Sequence, residues 1–409
     1  MKKFFALLLS LAMVLALVAC GQKETTTPDD TQTPDDTTPE VEYKIAMITD
    51  YGDITDQSFN QTTYEACKAF AEDNSIEFSY FKPAGDNTAD RVAMIEKAVN
   101  DGFNVIVMPG YAFGGAIVEA APEFPDVKFI ALDVAAGDLL ETAVAKAGEA
   151  YDYTPENWDL NKYVDMSNVY CAVYQEELCG YMAGYAAVKL GYKNLGFLGG
   201  MSVPAVVRYG YGFVQGVDAA AADLGLTDVK LNYIYGGQFF GDADITAVMD
   251  TWYQGGTEVV FACGGGIYTS AVDAAKKVGA KVIGVDVDQA GVIAKYAGVD
   301  GMTVTSAMKG LYPATYDTLT DVIVNGNWDK YVGKIATLGL VSGTDPEANY
   351  VQIPMGDGTQ WSDSFTQDDY KAMVKDMFDG KITVSNDTTK APTDFATAIT
   401  VNAQGQIKG

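Results

Sequence analysis

The chain has 409 residues, with 27 Lys and Arg against 55 Asp and Glu, and its formal net charge is −28. This charge works against binding to nucleic acids and to anionic membrane surfaces. The chain contains no histidine, which excludes Ser-His-Asp triads, Cys-His dyads and histidine-ligated metal ions. We therefore predict no catalytic residue, no cofactor and no metal site.

The N-terminus has the features of a secretory signal. Lys2 and Lys3 precede an almost wholly apolar run at 4–17, which is shorter than the roughly 20 residues of a membrane span. The run ends in Leu-Val-Ala-Cys, which resembles the lipobox of bacterial lipoproteins. This resemblance implies a signal peptide at 1–19 and lipid attachment at Cys20.

The segment after the signal is unusually polar. Residues 22–40 contain no apolar side chain and consist largely of Thr, Pro and Asp. Such a segment has nothing to bury, so it cannot offset the entropy lost on ordering. We predict that residues 20–41 are a disordered tether that holds a folded body away from a membrane.

In the folded body, short apolar runs alternate with helical patterns. Strands are predicted at 43–49, 76–81, 104–108 and 128–133, with helices at 58–74, 89–100 and 114–123. A polar, irregular stretch at 135–165 interrupts this alternation. Further strands are predicted at 168–174, 194–198, 231–235, 258–262, 281–285 and 302–306, with helices at 177–190, 204–224, 268–278 and 313–325. Alternation of this kind is typical of parallel sheets that helices cover on both faces.

Two such series around a break predict two lobes. Residues 42–165 would form lobe 1, with a later return of the chain near 300–335, and residues 166–300 would form lobe 2. Residues 336–409 would pack across the hinge and both lobes, with a helix at 367–378.

Four cysteines lie in the folded body, and none forms a CxxC pair. Cys263 lies in an apolar run, which favours a small core residue. A disulfide between Cys171 and Cys179 is one reading outside the cytoplasm, but we favour free buried thiols.

Ligands of open parallel sheets bind beyond the carboxyl ends of the strands. The residues that follow the predicted strands are mainly glycines, aromatics and isolated carboxylates. Aromatic rings can stack on a flat ligand, and a carboxylate can accept hydrogen bonds from neighbouring hydroxyls. The glycine run at 264–266 lacks the following Lys-Ser/Thr of a phosphate loop. These features suit a flat, hydroxylated and uncharged ligand, such as a nucleoside or a sugar.

Several motifs then resemble those of one known family, in the same order along the chain. They are DQSFNQ at 56–61, GFLGGM at 196–201, GFVQG at 212–216, IGVDVDQ at 283–289 and TSAMK at 305–309. The resemblance is to the basic membrane protein family, the purine nucleoside receptor lipoproteins of ABC importers. It implies a type I periplasmic-binding-protein fold, an α/β architecture of two doubly wound parallel-sheet lobes joined by a hinge of three crossings.

The resemblance also implies how a purine base would be bound. Phe59 would stack on one face of the base, and Phe239 on the other, although Phe240 is a competing choice. Asn60 would bond the edge of the base, and Asp133 would also read it.

For the sugar, the resemblance implies that Asp286 and Lys309 hold the ribose hydroxyls, while Gly265 brings backbone close to the ligand. Asp56 belongs to the first motif, and Tyr111 lies at the same mouth. The predicted ligand-binding residues are Asp56, Phe59, Asn60, Tyr111, Asp133, Phe239, Gly265, Asp286 and Lys309.

We therefore predict a monomeric substrate-binding lipoprotein, anchored by lipid to the extracytoplasmic face of a bacterial membrane. It would bind a purine nucleoside, such as guanosine, inosine or adenosine, and deliver it to the permease subunits of an ABC importer. One alternative keeps the fold and binds a sugar or another small polar metabolite. Others are a ligand receptor for a sensor and a nucleoside hydrolase that uses only Asp and Lys.

Overall fold

The computed structural model describes residues 42–408 of the chain. The predicted signal peptide, the lipid attachment at Cys20 and the predicted tether lie outside the described residues. From Tyr43 onward the chain forms one unit, in which strands and helices alternate.

The first series of elements contributes to one sheet. In chain order it comprises β1 (Lys44–Ile48), α1 (Phe59–Asn74), β2 (Glu77–Phe81), α2 (Thr88–Asn100), β3 (Val105–Pro109), α3 (Phe113–Ala120), β4 (Lys128–Leu132), α4 (Ala136–Lys146), α5 (Leu160–Tyr163) and β5 (Val169–Tyr174).

The second series contributes mainly to another sheet. It comprises α6 (Glu176–Lys189), β6 (Asn194–Gly199), α7 (Pro204–Asp223), β7 (Lys230–Tyr235), α8 (Ala243–Gln254), β8 (Val259–Cys263), α9 (Tyr268–Val278), β9 (Lys281–Asp286), α10 (Ala290–Ala297), β10 (Thr303–Lys309) and α11 (Leu311–Leu319). The chain ends with β11 (Ile335–Leu338), β12 (Val351–Gln352), α12 (Gln367–Phe378) and β13 (Thr400–Gln406).

The two sheets confirm the predicted fold class. The first has the strand order β11-β5-β4-β3-β1-β2 and the second has the order β12-β10-β9-β8-β6-β7-β13. The named strands pair in parallel except for β10 with β12. Every residue of β3 and β8 is buried, because helices cover both faces of each sheet and exclude water from apolar runs. The architecture is therefore two doubly wound parallel sheets.

Strand pairing differs from the boundary that we placed at residue 166. The strand β5 pairs with β4 of the first sheet, through contacts such as Phe129 with Val169. An apolar run does not reveal which sheet its strand joins, since that depends on contacts distant in sequence. The chain therefore passes to the second sheet only after β5.

The predicted return of the chain to lobe 1 near 300–335 stays a prediction. Within that range α11 lies against α1 of the first series, where the Tyr316 hydroxyl donates to Asp73 Oδ2 at 2.8 Å. The strand β10 remains in the second sheet, where it pairs with β9. The strand that returns to the first sheet is β11, and it pairs with β5. The chain then enters the second sheet again at β12, so it crosses between the sheets three times, as the resemblance implies.

The stretch at 135–165, which we predicted to be irregular, contains α4 and α5. Leu139, Leu140, Ala143 and Val144 form the buried face of α4, at the spacing of an amphipathic helix. The apolar stripe is only two turns long, and polar side chains around it obscure the pattern in the sequence.

The helices α6 and α7 approach each other closely because glycines face the partner backbone. A Cβ atom on Gly180 would collide with the backbone of Tyr209, and one on Gly212 would collide with the backbone of Glu177. Only a residue without a side chain permits such an approach. This packing places the first turn of each helix beside the carboxyl ends of the strands.

Candidate functional site

A cleft of about 410 Å³ lies at the carboxyl ends of the strands of both sheets, where the topology predicts a ligand site. Its wall includes every residue that we predicted to bind ligand, namely Asp56, Phe59, Asn60, Tyr111, Asp133, Phe239, Gly265, Asp286 and Lys309. The fold thus brings together residues that are up to about 250 positions apart in sequence, as parallel strands with aligned ends do. That these residues bind a ligand stays a prediction.

Lys309 is the centre of a buried charge cluster in this cleft. It ends β10, and its Nζ lies 2.5 Å from Asp133 Oδ2, 3.5 Å from Glu176 Oε1 and 3.9 Å from Asp286 Oδ1. Burial by itself would lower the pKa of Lys309. The three carboxylates together outweigh this effect and hold the pKa above its usual value. Lys309 is therefore protonated at neutral pH, and its charge is already balanced.

A second cation completes the cluster. Arg208, in the first turns of α7, donates from Nε to Glu176 Oε2 at 2.7 Å. Glu176 is fully buried, so it requires compensation on both oxygens. The cluster thus contains three carboxylates and two cations, which makes the floor of the cleft unfavourable for an anionic ligand.

Asp133 follows β4 with a left-handed backbone at φ 61°, which turns its carboxylate towards Lys309. Burial raises its pKa to about 6, although Lys309 opposes this shift. Its Oδ1 is buried and has no hydrogen-bond partner within residues 42–408. This oxygen is available to accept a hydrogen bond from a ligand.

Asp286 connects elements of both sheets. It ends β9 at φ 64°, accepts a 2.5 Å hydrogen bond from the Ser58 hydroxyl, and accepts one of 3.1 Å from the Tyr209 hydroxyl. Ser58 directly precedes α1 of the first series. Gln289 Nε2 also donates to Gln57 O at 3.1 Å, so the two sides of the cleft are joined by direct bonds.

The first motif organises the entry of α1. The Asp56 carboxylate accepts from the backbone N–H groups of Ser58, Asn60 and Gln61 at 2.9, 2.9 and 3.1 Å. It therefore satisfies donors that a helix N-terminus leaves free. Burial raises the pKa of Asp56, and these backbone bonds oppose the rise. Its observed contacts orient the motif.

Asn60 is held with its acceptor unused. Its Nδ2 donates to Asp56 Oδ2 at 3.1 Å and to Asp50 Oδ1 at 3.3 Å. Its Oδ1 is buried and without a hydrogen-bond partner in the described part of the chain. A buried acceptor of this kind carries a desolvation cost unless a ligand or water donates to it.

Aromatic rings come from both sides of the cleft. The ring of Phe59, the first residue of α1, lies 4.7 Å from Lys309 Nζ, a cation–π distance. The ring of Phe239 covers the backbone of Gly200 and Gly264, where a Cβ atom would overlap it. Phe240 also lines the cleft, but it is 56% exposed.

Gly264 and Gly265 both have left-handed backbones, at φ 140° and φ 46°, which side chains rarely adopt. They permit the turn after β8, and Gly266 N donates to Phe239 O at 2.8 Å. The glycine run therefore supports the loop that carries Phe239.

The structure also adds residues that the sequence did not indicate. Tyr51 and Tyr209 line the cleft, and the rings of Tyr51 and Phe239 lie 6.4 Å apart. Tyr51 follows the first strand, and this position at a strand end is the feature of the sequence that could have indicated it as a cleft residue. Tyr209 and the buried Glu176 lie within helices, where no local pattern separates them from core or surface residues.

A family model described as Bmp, ABC transporter substrate-binding protein PnrA-like, matches residues 43–345. The chain belongs to this family. The resemblance that the motifs carry is therefore confirmed, and the protein is a substrate-binding protein of the ABC-transporter type. Membership of the Bmp family implies a small-molecule ligand and a transporter partner, and the family is not one of enzymes.

Individual proteins agree with this assignment. The ABC transporter nucleoside-binding protein BmpA of Lactococcus lactis is 25% identical over 359 residues, which are 84% of this chain and 90% of that protein. An uncharacterized lipoprotein of Pyrococcus abyssi is 25% identical over 311 residues, 73% of this chain and 67% of that protein.

The fold is shared with a solved ABC transporter solute-binding protein from Aeropyrum pernix K1. The TM-score is 0.60 at 19% sequence identity, with 86% of this chain and 90% of that chain covered. At this identity the comparison shows the fold alone.

Three further features concern only residues 42–408. Cys67, Cys171, Cys179 and Cys263 are free and buried, which confirms the prediction of free thiols over a disulfide. None of the helices described is long and apolar enough to cross a membrane. The same residues contain no cluster of His, Cys, Asp or Glu suited to a metal ion.

Proposed function

We propose that this Bmp-family protein binds a purine nucleoside in the cleft and delivers it to the permease of an ABC importer. The observation that carries the proposal is the combination of two aromatic rings with unused buried acceptors in one cleft. Phe59 and Phe239 come from opposite sides, and Asn60 Oδ1 and Asp133 Oδ1 lack protein donors among the described residues.

A nucleoside meets these requirements physically. The faces of a base stack on aromatic rings, and its N–H groups and the ribose hydroxyls are donors for buried oxygens. Asp286 and Lys309 line the same cleft, within reach of hydroxyls on a bound sugar ring. The name of the Lactococcus relative, a nucleoside-binding protein, supports the same class of ligand.

The charge of the cleft argues against nucleotides. The cluster around Lys309 already pairs its two cations with Asp133, Glu176 and Asp286. A phosphate would bring further negative charge to a buried cluster whose two cations are already paired, which is costly. We therefore expect nucleosides to bind and the corresponding monophosphates to bind far more weakly.

The test is a thermal-shift panel followed by calorimetry on the full chain in detergent. The panel contains guanosine, inosine, adenosine, uridine, free purines, nucleoside monophosphates and hexoses. A ligand at 1,000 times its Kd adds about 4 kcal/mol to the free energy of unfolding. Stabilisation by purine nucleosides supports the proposal. Stabilisation by hexoses with no response to nucleosides favours the sugar-binding alternative.

The proposal includes lipid anchoring at Cys20 on the extracytoplasmic face of the membrane, and a monomeric, non-enzymatic receptor. Cys20→Ser should shift the protein from the membrane fraction to the soluble fraction. When the protein is incubated with a nucleoside that it binds, no free base and no free ribose should form. Release at a rate proportional to protein concentration would instead favour the nucleoside hydrolase.

A further inference from the structure

The chain continues well past the segment that the family model matches. The match ends at residue 345, whereas β13 lies at Thr400–Gln406 and forms the edge of the second sheet. It pairs in parallel with β7, from Thr400 opposite Lys230 to Gln406 opposite Tyr235. The C-terminal residues therefore reach the end of the strand that leads into the cleft.

The loop that follows β7, residues 236–242, carries Phe239 and is called the aromatic loop here. On one side it is bonded to the turn after β6, since Gly236 N donates to Gly199 O at 2.7 Å and Gly237 N donates to Gly200 O at 2.8 Å. On the other side it meets the C-terminus. Gly237 has φ 87°, and a Cβ atom on it would lie 2.6 Å from Lys408 O.

Lys408 also contacts the other end of the aromatic loop. Its ammonium forms an ion pair with Asp242 and lies 3.6 Å from Asp244 Oδ2. Asp242 in turn caps α8 by accepting from the backbone N–H of Ile245 at 3.0 Å, and it accepts from Gln238 Nε2 at 2.9 Å. Both ends of the loop are thus attached to the last residues of the chain.

The segment before β13 is independently fastened to α7. The Asp218 carboxylate accepts from the backbone N–H groups of Thr397, Ala398 and Ile399 at 2.7, 2.6 and 3.2 Å. This attachment sets where β13 begins and does not involve the aromatic loop. The contacts of residues 400–408 with the loop can therefore be removed without removing this anchor.

We propose that β13 and Lys408 are positioning elements, which hold the aromatic loop so that Phe239 is ready to receive the ligand. This role rests on the proposed function and deepens it, since it assigns a part in ligand binding to residues outside the matched family segment. The physical basis is preorganisation. Immobilising a side chain on binding costs affinity, and a loop that is already fixed avoids this cost.

The test compares Lys408→Ala, Lys408→Arg and a chain that ends at Ile399 with the unaltered full chain. Two quantities are measured for each: hydrogen exchange of the amides of the aromatic loop, and Kd for guanosine by calorimetry. Lys408→Ala should accelerate exchange at Gly236, Gly237 and Asp242. It should weaken guanosine binding by roughly two- to tenfold, the cost of ordering about one side chain.

The dissociation rate should account for most of this change, as is usual for related complexes. Lys408→Arg keeps the charge and should restore both values. The chain ending at Ile399 should show larger effects on both quantities, because it also loses the pairing with β7. If that shortened chain does not fold, the point variants still decide the question.

Lys381→Ala is the matched control. Lys381 is an exposed lysine in the C-terminal region, and it pairs with Asp376 at 2.6 Å and Asp379 at 3.5 Å. Its pairs lie at the end of α12 rather than in the aromatic loop. This variant should leave the exchange of the loop and Kd unchanged, and its midpoint of thermal unfolding should match that of Lys408→Ala.

Unchanged loop exchange or unchanged affinity in Lys408→Ala would overturn the proposal, as would an equal effect of Lys381→Ala. The outcome is distinguishable from a failure of the proposed function. If the unaltered chain binds no nucleoside, the nucleoside assignment falls. In that case hydrogen exchange of the aromatic loop in Lys408→Ala still shows whether Lys408 positions the loop. Unchanged exchange would overturn the proposal.

Discussion

The Ser58 hydroxyl donates a 2.5 Å hydrogen bond to Asp286 Oδ2, and this bond joins the entry of α1 to the end of β9 across the cleft. The acceptor is a buried carboxylate, which strengthens the bond. It therefore holds the two sides of the cleft together, and a ligand that closes the cleft gains from the same contact.

We expect Ser58→Ala to weaken closure. The variant removes one donor from Asp286 and leaves its Oδ2 unpaired, with a cost of about 1.5–3 kcal/mol for a bond to a charged group. Calorimetry should show a correspondingly higher Kd for the ligand. The control is Ser364→Ala, because the exposed Ser364 hydroxyl lies outside the cleft and shares a 2.8 Å hydrogen bond with the hydroxyl of Ser362. Equal affinity of both variants would contradict the role of the bond.

Lys309→Met should destabilise the fold. The change leaves Asp133, Glu176 and Asp286 without their shared cation, and breaking a buried ion pair costs about 3–5 kcal/mol. Urea unfolding measures this loss. Lys381→Met removes the exposed ion pairs with Asp376 and Asp379, and it should lower the free energy of unfolding far less, because solvent screens exposed charges. The double variant Lys309→Met with Asp133→Asn should recover part of the stability, and no recovery would argue against direct coupling.

The pH dependence of stability should reveal Asp138, near the start of α4. Burial raises its pKa to about 7, above the value of about 3.9 in an unfolded chain. The folded state therefore binds the proton more tightly, and the free energy of unfolding falls as pH rises between these values.

In the unaltered protein Asp138 Oδ2 accepts a 2.7 Å hydrogen bond from Ala135 N. Asp138→Asn removes the titration and keeps an oxygen that can accept this bond. The variant should equal the unaltered protein in stability near pH 4 and exceed it above pH 7. The gain is limited by about 1.4 kcal/mol per pKa unit. Urea unfolding at several pH values measures it, and parallel profiles of the two proteins would refute the assignment.

Phe239→Ala and Phe240→Ala distinguish the two candidates for stacking on the base. Phe239 packs over Gly200 and Gly264 within the cleft, whereas Phe240 is 56% exposed. Loss of a stacking ring costs about 1–3 kcal/mol per base, so Phe239→Ala should raise Kd for a nucleoside and Phe240→Ala should change it little. The reverse order would assign the stacking to Phe240.

Much of the fold was predictable from local patterns. Buried parallel strands such as β3 and β8 are continuous apolar runs, and α12 begins with reciprocal bonds between Thr366 and Asp369, a capping arrangement readable from sequence. The helix α4 was missed because its apolar stripe is short. The strand β13 was missed because an exposed edge strand carries few apolar residues.

The sequence by itself determined the alternation of strands and helices, the exclusion of histidine chemistry and the residues that meet at the strand ends. These depend on composition, on local periodicity and on the rule that parallel strands end at one edge. Only the tertiary structure decided that β5 and β11 belong to the first sheet, that Glu176 and Arg208 join the cluster of Lys309, and that Lys408 reaches the aromatic loop. The reason is that each of these contacts joins residues distant in the chain, and burial and charge pairing between distant residues leave no local pattern in the sequence.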